Sequence, residues 1–93
     1  MSAGIAPNPR ILWAWGDAAE RAGRIHEAQG AYAALVARDS NAVRGWDGLG
    51  RMAMEKGDVE TARRAAGRLH ALVPDDPDYA VMLRTLDSLR VRR

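Results

Sequence analysis

Apolar residues return at every third or fourth position in successive stretches of the chain. Leu12, Trp15 and Ala19 make the first set, and Ile25, Ala28, Tyr32 and Leu35 the second. Trp46, Leu49 and Ala53 make the third, and Val59, Ala62, Ala66 and Leu69 the fourth. That spacing belongs to helices that bury one face. A last set, Val81, Leu83, Leu86 and Leu89, is interleaved with Arg84, Asp87 and Arg90 and reads as a closing helix with one apolar face. Stop and start residues agree with this division. Asn8 before Pro9 predicts an N-cap with proline at the first helical position, opening a helix that runs to about Ala22. Gly23 separates it from a second helix over Ile25 to Arg38. Asp39-Ser40-Asn41 marks a turn, with Ser40 or Asn41 capping a third helix that runs to Lys56 and ends at Gly57. Asp58 caps a fourth helix that reaches Leu72 before Pro74 stops it, and Asp76 with Pro77 opens a fifth that fades near Arg90. The predicted fold class is all-α, with no strand.

The same stretches repeat one another. A shift of about 34 residues, the separation of Gly16 from Gly50, superimposes Gly23 on Gly57, Ala28 on Ala62 and Leu35 on Leu69. It also places Leu12 on Trp46 and Ile25 on Val59. A partial third window starts at Pro77, with Leu83 in the slot of Trp15 and Leu49. Gly16 and Gly50 have no Cβ, so two helices can approach closely there, and Ala28 and Ala62 assist from the second helix. Gly23 and Gly57 sit at turns, where a positive φ suits glycine.

This pattern resembles the tetratricopeptide repeat, whose signature runs Trp, Leu-Gly and Tyr, then Ala, Phe and Pro. The second window carries Trp46, Leu49-Gly50, Ala53 in the tyrosine slot, Gly57, Ala62, Leu69 and Pro74. The first keeps Gly16, Gly23, Ala28 and Tyr32, but has Leu12 for the tryptophan, Trp15 for the leucine and Ser40 for the proline. The resemblance implies a right-handed superhelical stack of antiparallel helix pairs. Its units would be a tail over 1–8, repeats over 9–42 and 43–76, and a closing helix with a basic tail over 77–93. It also implies that odd-numbered helices line a concave groove. The groove positions are Arg10, Trp13, Asp17, Glu20 and Arg21 on the first helix, and Arg44, Asp47, Arg51, Met54 and Glu55 on the third. Asp78, Val81 and Thr85 follow on the fifth. Arg10, Trp13, Asp17, Arg44, Asp47, Arg51 and Met54 are the expected partner-binding residues.

Trp13 stands about 200° around the helix from Trp15. With Trp15 in a core slot, Trp13 is expected to be exposed and to anchor a ligand. The Lys, Asn and Arg clamp by which some family members hold a peptide carboxylate is absent, because Trp13 and Asp17 stand where Lys and Asn belong. The expected function is a protein–protein interaction module, not an enzyme, whose partner is another protein or peptide. The open end near Ile11, Leu12 and Trp15 adds self-association to the expectations. The alternative is a regulatory or targeting domain of a larger protein.

Composition narrows the rest. The net charge is only +2 and acids alternate with bases, so no nucleic-acid partner is expected despite the local excess of Arg84, Arg90, Arg92 and Arg93. The chain has no cysteine, which removes disulfides, thiolate chemistry and cysteine metal sites. The first ten residues lack a charged segment followed by an apolar run, so neither a signal peptide nor a membrane span is read, and a cytoplasmic location is expected. His26 and His70 fall on second helices and are expected to be solvated. Asp75, Asp76 and Asp78 lack calcium-loop spacing and suit helix capping better. Arg63, Arg64 and Arg68 read as a solvated convex face. No cofactor and no metal are expected.

Overall fold

The computed structural model describes residues 8–91, without the side chains of Arg90 and Val91. The expected tail ahead of Asn8, and Arg90, Arg92 and Arg93 as a basic patch, lie outside the described residues. Five helices follow one another: α1 (Pro9–Arg21), α2 (Ile25–Arg38), α3 (Val43–Lys56), α4 (Val59–Leu72) and α5 (Pro77–Val91). Each packs on the next, and α1 also touches α3. The result is an all-α stack of helix pairs, α1 with α2 and α3 with α4, closed by α5.

Local chemistry sets the boundaries. The Asn8 side chain accepts the Ile11 N–H at 2.9 Å. Gly23 and Gly57 take φ of 76° and 78°. This lets the next N–H turn back, from Arg24 to the Ala19 carbonyl at 2.9 Å and from Asp58 to that of Ala53 at 2.8 Å. Asp58 then accepts the Thr61 N–H at 3.2 Å, and Asp76 accepts that of Asp78 at 2.9 Å. The start of α3 departs from expectation. Its N-cap is Ala42, with no side-chain bond. Asp39 folds the turn by accepting the Asn41 N–H at 3.1 Å, and the Ser40 carbonyl takes the Trp46 indole N–H at 2.8 Å. Ser40 and Asn41 thus precede the cap position, and the Asn41 side chain accepts from Arg68 at 3.3 Å instead.

The core runs along the middle of the stack, with Tyr32 and Leu69 its largest fully buried side chains. The Tyr32 ring passes from α2 between α1 and α3. A Cβ on either Gly16 or Gly48 would come within 2.6 Å of it. Gly50 does the same for helix pair α3–α4, where a Cβ would stand 3.2 Å from that of Ala65. Ala28 and Ala62 are buried as expected.

Three expectations about apolar residues fail. Trp15 is not in the core: it is 48% exposed, with its indole N–H donating to Glu27 at 2.7 Å. Its repeat counterpart Leu49 is buried because α3 has α2 against that side. Among the described residues nothing stands there on α1. Leu12, placed at the open end, is instead buried. On α5, Val81 and Leu89 are exposed, and Leu86 with partly buried Tyr79, Met82 and Leu83 makes the packed face.

Candidate functional site

The expected binding residues of α1 and α3 fall into two neighbouring groups where these helices run side by side. At their N-terminal ends the Arg44 guanidinium lies over the Trp13 ring, 4.8 Å from its centroid. Trp13 is half-buried, not exposed, because its ring also packs against the core cluster of Tyr32, Trp46 and Leu49. An open cleft of about 790 Å³ adjoins this pair, lined by Pro9, Arg10, Trp13, Leu35, Val43 and Arg44 among others. Its walls are aliphatic and aromatic, and both of its ionisable residues are arginines. A cleft of that kind can hold an apolar side chain while offering guanidinium donors to an acceptor.

One or two turns further on lies an ionic cluster. The Tyr32 hydroxyl donates to Glu20 at 2.8 Å. Arg51 pairs with the same Glu20 across the helices and with Asp47 at 3.5 Å along α3. Burial, reinforced by the Glu20 carboxylate, pushes the Tyr32 phenol up to about 12. Burial pulls the Arg51 guanidinium down, but the charges of Asp47 and Glu20 outweigh it and hold the pKa above its ordinary value. Tyr79 of α5 is raised too, by burial and then by the negative charge of Asp47, Asp76 and Asp78.

Tyr32 was not among the expected groove residues, since it belongs to a second helix. The signal for it was Gly16 facing Gly48, a gap between two first helices wide enough only for an inserted ring. Arg10, Trp13 and Arg44 meet at the cleft, and Asp47 and Arg51 meet in the ionic cluster. Asp17 turns to Arg21 on its own helix, at 3.1 Å. Met54 is 51% exposed and belongs to neither group. Asp78, Val81 and Thr85 are exposed on α5, whose backbone approaches α4 and whose Leu86 shares a buried cluster with Ala53 of α3.

Elsewhere two expectations change. The convex arginines are not merely solvated: Arg63 pairs with Asp87 of α5, and Arg68 donates to the Ser40 carbonyl at 3.1 Å and to the Asn41 side chain at 3.3 Å. They tie α4 to its neighbours on both sides. His26 is exposed, its Nδ1 3.2 Å from the Lys56 Nζ. His70 is half-buried rather than solvated, and its Nδ1 has no hydrogen-bond partner. Among the described residues no group of three His, Cys, Asp or Glu side chains could hold a metal ion. No helix there is long and apolar enough to cross a membrane.

Comparison with known proteins agrees with the geometry. The family model described as tetratricopeptide repeat matches residues 14–79. No curated protein matches the chain.

Proposed function

The chain belongs to the tetratricopeptide repeat family, and from that premise we propose that it is a non-catalytic scaffold that binds a partner peptide or protein surface along the α1/α3 face. The family's repeats serve as protein-interaction scaffolds. Residues 9–42 and 43–76 are its two repeats, and 77–93 its closing helix and basic tail. Asp17, Asp47, Arg51 and Met54 border the ligand's path. The observation that carries this reading is the cleft beside the stacked Arg44–Trp13 pair. The ligand seats an apolar side chain against Trp13, and Arg10 and Arg44 hold an adjoining carboxylate. Arg51 acts indirectly, since Glu20 and Asp47 already engage it. It keeps the floor of the groove rigid.

Arg44 and Trp13 are the residues to alter first. Losing their stacking costs roughly 0.5–1 kcal/mol, and truncating the half-buried Trp13 ring, which packs against the core, costs roughly 2–3 kcal/mol more, so the Trp13→Ala/Arg44→Glu chain serves as a control only where circular dichroism shows it folded. The test is capture of the partner from host extract, with this double variant as control. The wild type retains a partner that the variant loses, while both give the same helical circular dichroism. Undiminished capture by a folded double variant would falsify the reading.

A further inference from the structure

The cleft beside Trp13 is bounded by the first turns of two helices. Residues 8–11 open α1, residues 42–44 open α3, and both stretches line it. A helix start carries N–H groups with no partner inside the helix, and a partial positive charge. Asn8 takes one such group on α1, and Asp58 one on α4. The first turn of α2 has no capping side chain but carries Glu27. That of α3 has neither a capping side chain nor an acid. Its Trp46 N–H reaches the Ala42 carbonyl at 3.0 Å, which leaves the donors of Val43, Arg44 and Gly45. Gly45 is buried, so close to Leu35 that a Cβ would stand 2.9 Å from that side chain. Buried backbone donors are nearly always paired. Among the described residues no acceptor meets the Gly45 N–H.

Two guanidinium groups stand at the same place. Arg10 and Arg44 are each the second residue of their helix, exposed, and part of the cleft wall. Arg44 rests on the Trp13 ring. Among the described residues neither arginine pairs with a carboxylate. The acids on either side of the start of α3 are engaged elsewhere. Asp39 accepts the Asn41 N–H, and Asp47 faces Arg51. Positive charge from two helices, free amide donors and an apolar wall of Trp13, Leu35 and Val43 therefore converge, and no described acid of the chain answers them.

We propose that the ligand supplies the cap of α3. An aspartate side chain of the partner, next to a large apolar residue, accepts the Arg44 and Gly45 N–H groups between the Arg10 and Arg44 guanidiniums. This names the ligand chemistry of the groove and rests on that reading. Aspartate is among the strongest N-cap acceptors. Its charge suits the start of a helix, and the guanidiniums add charge-assisted hydrogen bonds. The apolar neighbour seats against Trp13. Ala42, which occupies the cap position, has no side-chain acceptor to compete with the ligand.

Amide NMR spectra of the full chain test this with three acetylated tripeptides. The first is Leu-Asp-Leu amide, with an apolar neighbour on each side of the acid so that chain direction does not matter. The second has asparagine for aspartate. The third keeps the asparagine and ends in a free carboxylate. The first peptide shifts the Arg44 and Gly45 amides and the Trp13 indole N–H along one saturation curve. It binds at least about tenfold more tightly than either companion. Ala42→Asn caps α3 without adding charge; it lowers that affinity at least about tenfold and does not lower the melting temperature. Ala42→Asp abolishes the shifts at concentrations that saturate the wild type. A peptide that moves the Trp13 indole but neither amide overturns the proposal and leaves the groove standing, as does full affinity in Ala42→Asn. Equal binding of the asparagine twin overturns it, and so does binding of the third peptide as tight as the first, which would put a terminal carboxylate in the site. Absence of shifts with every peptide overturns it too, while partner capture that depends on Trp13 and Arg44 still decides the groove.

Discussion

The helical glycines of this chain are not equivalent, and the difference can be measured. Gly48 and Gly16 clasp the Tyr32 ring, so a methyl group at Gly48 would sit 2.6 Å from ring carbons. The ring is fully buried and cannot swing clear. Alanine brings about 1 kcal/mol of helix propensity, against roughly 1–3 kcal/mol for forcing atoms into a packed core. Gly48→Ala therefore destabilises the fold, by up to about 2 kcal/mol. At Gly30 a Cβ would have open space and only the propensity term operates, so Gly30→Ala stabilises by roughly 0.5–1 kcal/mol. Urea midpoints of the two variants should move in opposite directions. If both rise, Tyr32 is not held as described.

At the level of elements, the helix ends show what the sequence could and could not reveal. Asn8, Gly23, Gly57, Asp58 and Asp76 were legible because each acts through its own backbone or the next turn. The turn before α3 was not. Its polar residues answer in part to a partner distant in sequence, with Arg68 donating to the Ser40 carbonyl and to the Asn41 side chain. The site divides in the same way. The register put Trp13, Arg44, Asp47 and Arg51 on the shared side of α1 and α3, where the fold sets Arg44 against Trp13 and Arg51 against Asp47 in two neighbouring groups. It could not foresee that Tyr32 would thread between helices, or that among the described residues Trp15 would lack the neighbour that buries Leu49. The uncapped α3 yields a prediction. Ala42 has extended backbone, φ −76° and ψ 97°, suited to an N-cap, so Ala42→Asp should stabilise by about 0.5–1 kcal/mol. Asp58→Ala removes a cap already in use and should cost about 1 kcal/mol. Thermal melts that rank Ala42→Asp below the wild type would show that the first-turn N–H groups of α3 are satisfied by other means.

Across the whole molecule, one phenol joins three helices. Tyr32 belongs to α2, its ring fills the gap between α1 and α3, and its proton is held by Glu20, which also binds Arg51. The group's pKa is raised to about 12 in the folded chain, against roughly 10 when unfolded. Below pH 10 both states keep the proton, and the contribution to stability is complete. Between pH 10 and 12 the unfolded chain releases its proton first, so stability falls as pH rises. A difference of two units corresponds to about 2–3 kcal/mol over that window. Tyr79 is shifted in the same direction and adds to the fall, so the wild-type slope alone does not identify the source. Tyr32→Phe supplies the comparison: it keeps the ring between the glycines and removes only the titrating hydroxyl. Urea midpoints measured from pH 9 to 11.5 should fall steeply for the wild type and for Tyr79→Phe, and much less for Tyr32→Phe. Parallel curves for the wild type and Tyr32→Phe would mean that the phenol does not carry the alkaline sensitivity, and that the junction of α1, α2 and α3 rests on packing alone.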